Sequence, residues 1–199
     1  MAAAAVTTNT AEGTRDRLVR TASRLMQRGG YENTPVKQLV REAEATLGSL
    51  YHFFPGGKQE LAVAAIRYGD QEFTEMIRAG LAERADAAEA VEAVAVLLAD
   101  ALAASDWRDG CPVTTTALET VGRIPELQSA CAEAFAHWEE MVAAKLLASG
   151  HPEREARDLA STVINTLEGA ETSAQVTQSR TPLLVAGRHL ARLVASYAN

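Results

Sequence analysis

Apolar side chains recur at three- and four-residue intervals along most of the chain, the period that gathers them on one face of a helix, and no stretch keeps the two-residue alternation of a strand. Leu18, Ala22, Leu25 and Met26 share one face of a first helix expected over 13–28. Arg17, Arg20, Arg24 and Arg28 point elsewhere, and Gly29-Gly30 ends the helix. Thr34-Pro35 reads as an N-cap followed by a first-turn proline, opening a short helix to about Ala43 that buries Val36, Leu39, Val40 and Ala43. After a turn at Glu44-Ala45, Thr46 caps a second short helix over 47–54, which Pro55-Gly56-Gly57 terminates.

From Lys58 the segments lengthen. A helix over 58–80 turns Leu61, Ala65, Phe73, Met76 and Ile77 inward, and Asp86 caps the next, whose stripe is Val91, Val94, Ala95, Leu98 and Leu102. Ser105 to Gly110 reads as a loop. Pro112, Pro125, Pro152 and Pro182 each suit a first helical position, giving segments near 112–121, 125–149, 153–178 and 182–197. The expected fold is all-α with about nine helices. Its expected parts are a loose tail over 1–12, a three-helix helix-turn-helix unit over 13–58, and a helical domain over 59–199.

Composition supports helices: of 199 residues 47% are hydrophobic, and Gly (13) and Pro (6) are sparse. The Ala/Val/Leu-rich run 87–104 is broken by Glu89, Glu92 and Asp100, and the first residues lack an export pattern, so no membrane segment and a cytoplasmic location are expected. The net charge of −7 is unevenly spread. Residues 1–68 carry nine Lys/Arg against six Asp/Glu, the remainder ten against twenty. Like-sign repulsion confines any phosphate contact to the first third.

The span Thr34 to Lys58, TPVKQLVREAEATLGSLYHFFPGGK, has the apolar spacing that locks two short helices at a steep angle. Leu50 and Phe54 dock the second helix, leaving Ser49, Tyr51, His52 and Phe53 partly free. A hydroxyl, a phenol and an imidazole there can reach phosphates or base edges, and Lys58 can pair with a further phosphate. The bland alternatives are a half-buried ring for Tyr51 and an exposed histidine for His52. Catalysis finds no support. His52, His137, His151 and His189 lack metal-ligand spacing, Cys111 and Cys131 lack an evident histidine partner, and there is no phosphate-binding glycine loop. No enzyme activity, metal or cofactor is expected; the competing class is a small helical ligand carrier or enzyme that does not bind DNA.

The stretch resembles the DNA-binding domain of the TetR family of bacterial transcriptional regulators, above all at GSLYHFFPGGK, Gly48 to Lys58. GCPVTTTALE at Gly110 to Glu119 and LEGAE at Leu167 to Glu171 resemble its LmrA/YxaF-like branch. The resemblance implies that Thr46, Leu47, Gly48, Ser49, Tyr51 and His52 face DNA with Lys58 on the backbone, and Thr34 and Lys37 complete the candidate set. Two positions depart from the family pattern: Glu44 stands where glycine is usual, and Leu47 replaces a lysine or polar residue.

The resemblance further implies a sequence-specific repressor on double-stranded DNA with a palindromic operator, released when a small, largely apolar inducer enters the C-terminal domain. Candidates to bind it are Trp107, Cys111, Phe135, Trp138, Met141, Asn165, Glu168 and Thr172. Core packing is the alternative for the aromatics and Met141, and a solvated face for the polar row Asn165, Glu168, Thr172 and Gln175. Cys111 also offers a redox-sensor reading against that of a small buried hydrophobe. A homodimer is expected through the last two helices, with Gly169, Ala170, Ser173 and Ala174 permitting close approach and Leu183, Leu184, Gly187, Leu190 and Val194 as its apolar seam.

Overall fold

A computed structural model describes residues 12–198; the expected tail over 1–12 lies almost wholly outside them. Among the described residues there are nine helices and no strand: α1 (Thr14–Gly29), α2 (Val36–Glu42), α3 (Leu47–Phe53), α4 (Gly57–Ala82), α5 (Ala87–Ala104), α6 (Thr114–Thr120), α7 (Pro125–Ala148), α8 (Glu153–Thr177) and α9 (Thr181–Ser196). None is long and apolar enough to cross a membrane.

Helices α1 to α3 pack around Leu18, Ala22, Leu39 and Leu50, and α1 lies along α4, so one core continues from the small unit into the larger one. Helix α5 explains the arrangement beyond. It buries Ala87, Ala90 and Ala99 as well as its expected stripe, and a helix apolar around much of its circumference must be enclosed. It is covered by α4, α8 and α9. Two close approaches make this possible: a Cβ on Gly80 of α4 would stand 2.6 Å from Val94 Cγ2, and one on Gly187 of α9 would stand 2.6 Å from the Ala95 Cβ.

That packing corrects the expected dimer seam. Leu183, Gly187, Leu190 and Val194 are buried within the subunit, as is Ala174 of α8. The seam is consumed because α5 needs cover on more than one side. What α8 and α9 turn outward is Gly169, Ser173, Val176 and Val185. His151 ties the far end together, its two ring nitrogens each 3.2 Å from a carbonyl oxygen, of Leu146 on α7 and Val194 on α9.

Several helix starts shift. Thr34 is not the cap of α2: its buried hydroxyl donates to the Gly30 carbonyl at 2.8 Å, and Pro35 takes the N-cap position. Pro125 is the first residue of α7 as expected, whereas Pro152 is the N-cap of α8, Pro112 precedes the N-cap of α6, and Pro182 is the second residue of α9. Proline's fixed φ suits each of these flanking places as well as the first one.

Candidate nucleic-acid interface

The turn between α2 and α3 sets the geometry of the helix pair. Glu44 adopts φ +49°, the left-handed region where a side chain is costly, and Arg17 of α1 compensates. Its guanidinium donates to the carbonyls of Ala43 at 3.2 Å and Glu44 at 3.4 Å, satisfying groups that the end of α2 would otherwise leave open. In the sequence Arg17 reads as one of several outward arginines. Only its long-range contact with the turn marks it as a brace.

Helix α3 is capped by Thr46, whose hydroxyl accepts from the Ser49 N–H at 3.0 Å and lies 2.9 Å from the Ser49 hydroxyl. Leu50 and Phe54 are buried at 0% and 2% exposure and fix its rotation. That leaves Thr46, Leu47, Gly48, Tyr51 and His52 exposed and Ser49 half-exposed on one surface. Tyr51 is 54% exposed, and one edge of its ring rests against the backbone of Gly57. The phenol therefore points from a supported base.

Lys37 is exposed on α2. Lys58 is half-buried, its ammonium 4.1 Å from the centre of the Tyr31 ring, and burial pulls its pKa below lysine's ordinary value although Glu32 and Glu119 oppose the shift. It must leave that ring to meet a phosphate. Thr34, expected on the DNA face, is 2% exposed with its hydroxyl turned into the unit, and is removed from that face. Arg20 holds Glu12 and Arg24 holds Glu42 at 2.8 Å, whereas Glu44, beside α3, is exposed.

The expected ligand-binding residues do not converge. Trp138 is fully buried between Phe73 (centroids 4.4 Å apart) and the half-buried Phe135 (5.3 Å), and its indole N–H has no partner among the described residues. Trp107 and Met141 are half-buried against the same core. Asn165 and Thr172 are exposed, the Thr172 hydroxyl donating to the Glu168 carbonyl of its own helix, so these two are corrected to the outer face. Cys111 and Glu168 do meet, deep in the domain, and Thr114 Oγ1 donates to Glu168 at 2.6 Å.

Beside them lies Glu171, which in the sequence stands out only as the last residue of LEGAE. It is 5% exposed, and burial together with the neighbouring Glu168 pushes its carboxyl up to about 8. Burial, then the two carboxylates, raises the Cys111 thiol well above its usual range, which disfavours the reactive thiolate form. Cys131 is likewise pushed up to about 11 by burial. Open space lies elsewhere: a cleft of about 550 Å³ between α4 and α7 is lined by Gln59, Val63, Arg67, Glu126, Ser129 and Glu133.

Comparison with known proteins places this geometry. Residues 18–65 match the family model for bacterial regulatory proteins of the tetR family, and residues 87–189 match that for the C-terminal domain of LmrA/YxaF-like transcriptional regulators. The chain is 34% identical over 180 residues to the HTH-type transcriptional regulator YxaF of Bacillus subtilis, covering 90% of this chain and 94% of the relative. It is 35% identical to the HTH-type transcriptional regulator LmrA of the same organism, covering 85% of this chain and 90% of the relative. The crystal structure of a TetR transcriptional regulator from Chloroflexus aurantiacus superposes with a TM-score of 0.75 at 27% identity, covering 92% of this chain and 94% of that one. One from Rhodobacter sphaeroides has the same fold, with a TM-score of 0.80 at 20% identity, covering 90% of this chain and 97% of that one.

Proposed function

The chain belongs to the TetR family of bacterial transcriptional regulators, and from that premise we propose that α3 is its recognition helix, laid in the major groove of double-stranded DNA. The protein is a helix-turn-helix DNA-binding regulator. Thr46, Leu47, Gly48, Ser49, Tyr51 and His52 face the duplex in this reading, with Lys37 and Lys58 on phosphates, and residues 13–58 act as the DNA-binding domain.

One observation carries the proposal. Leu50 and Phe54 lock α3 while every polar side chain between Thr46 and His52 stays at the surface. A solvated helix with no partner has no need of a strained turn braced by Arg17; a helix that must present a fixed set of donors does.

A homodimer formed by the outward faces of α8 and α9, through Gly169, Ser173, Val176 and Val185, would set two recognition helices about 34–36 Å apart on a palindromic operator. Release requires a small molecule that favours a conformer with a different spacing, since a ligand indifferent between conformers shifts nothing. The α4–α7 cleft suits that ligand because α4 leads directly from the DNA-binding unit, and its charged rim favours an amphipathic molecule over the wholly apolar one expected. A cytoplasmic repressor without enzyme activity follows from this reading.

The test is retardation of genomic fragments selected by the purified protein, with and without candidate inducers. Affinity should fall steeply with salt. Native-like affinity in a folded Tyr51→Ala variant would remove α3 from the interface, and a protein that binds its small molecule but retards no fragment would be a carrier.

A further inference from the structure

Cys111 lies in the α5–α6 loop, and Glu168 and Glu171 stand one turn apart on α8. The sulfur and one oxygen from each carboxyl all lie within 4.8 Å of one another. Cys111 and Glu171 are 6% and 5% exposed, and an oxygen of Glu171 has no hydrogen-bond partner among the described residues. An unpaired carboxylate at that depth costs several kcal/mol. Its ionisable neighbours, a second carboxyl and a thiol, supply no positive charge, so the group is held either by a proton or by a cation.

A shared proton can serve the two carboxyls, with the sulfur accepting from the Thr114 N–H at 3.4 Å. A divalent ion serves all three donors together. With Zn–S near 2.3 Å and Zn–O near 2.0–2.2 Å, a tetrahedral ion holds such donors roughly 3.3–3.7 Å apart, a contraction within the reach of glutamate rotamers. The sulfur sets the class of metal: magnesium and calcium take oxygen shells of six or more, whereas zinc and cobalt accept thiolate with carboxylate.

We infer that Cys111, Glu168 and Glu171 form a binding site for a divalent transition-metal ion of the zinc class, coupled to the orientation of the DNA-binding unit. Binding releases the thiol proton and any proton held by the carboxyls to solvent, leaving a fourth coordination position open. The coupling path is short. Asp109 receives Arg28 Nε at 2.5 Å and Nη2 at 3.0 Å, and the Gly110 carbonyl accepts from Gln27 Nε2 at 2.6 Å, both donors at the end of α1. On the other side Gln175 of α8 donates to the Arg108 carbonyl at 3.3 Å. Drawing Cys111 toward α8 moves the segment that clamps α1. The metal site stands independently of the regulator reading, whereas the coupling rests on it.

The test is titration of the chelator-treated full-length protein with Co²⁺ under reducing conditions. Expected are a sulfur-to-cobalt charge-transfer band and the visible absorption of a tetrahedral ion, saturating at one ion per chain and retained in Cys131→Ser. Cys111→Ser should lose the charge-transfer band. Glu171→Gln, whose neutral amide suits the buried position and whose folding is checked by thermal melting, should weaken cobalt binding by at least about tenfold. No band in the wild type, or a band that survives Cys111→Ser, overturns the site. Operator affinity is then compared with and without Zn²⁺: a shift seen in the wild type and absent in Glu171→Gln supports the coupling, and equal affinity overturns it while leaving the site intact. Failure of both the metal-free and the zinc-loaded protein to retard DNA would instead count against the regulator reading.

Discussion

In the helix-turn-helix unit Thr46, Tyr51 and His52 keep their polar atoms at the surface, whereas in the C-terminal domain Cys111, Trp138 and Glu171 bury theirs, and two of those three carry an atom with no hydrogen-bond partner among the described residues. In the reading proposed above, the contrast follows from what each region meets. A duplex is too large to enclose, so its reader must display donors on a rigid outer face. A small ion or molecule can be surrounded, and buried polar groups in a low-dielectric interior give it the strongest hold.

The comparison can be broken most forcefully at its apolar supports. Trp138→Ala should cost about 3–5 kcal/mol of unfolding free energy, read by urea denaturation, whereas Trp138→Phe, which removes the unpartnered N–H and keeps a ring against Phe73, should stay within about 1 kcal/mol of the parent. Equal losses would show that the indole nitrogen is partnered. Leu50→Ala should lose about 2–5 kcal/mol and operator binding with it, since α3 has seven residues and no stability of its own.

Tyr51→Ala should separate the two effects: a melting temperature close to the parent's, with operator affinity reduced about tenfold, as for the loss of one good polar contact. Smallest is Thr46→Ala, which should cost about 1 kcal/mol through the lost cap of α3. A larger drop in DNA affinity than in stability would show that the Thr46 hydroxyl also meets the duplex.

The helix-turn-helix was legible because its determinants are local. Thr46, the left-handed turn at Glu44, Leu50 and Phe54 lie within one short stretch, where spacing alone fixes orientation. Arg17 was not legible, because its acceptors are 26 and 27 positions away. The polar row on α8 splits for a related reason, with Asn165 and Thr172 facing out and Glu168 turned in. A helical wheel separates Glu168 from the dry stripe, but α8 is flanked by α7, α9 and the segment entering α6, so its buried arc is wider than one stripe and takes in Glu168 and Glu171. The dimer seam failed in the same way, since periodicity shows that an apolar stripe needs cover and is silent on which surface supplies it.

The glycine crossings at Gly80 and Gly187 have a mechanical outcome. Glycine backbones seated directly on Val94 and Ala95 have little room to slide, so α9, α5 and α4 are threaded into one stiff train. A partner subunit that twisted α9 by a few degrees would deliver that rotation, scarcely damped, to the root of the reading head.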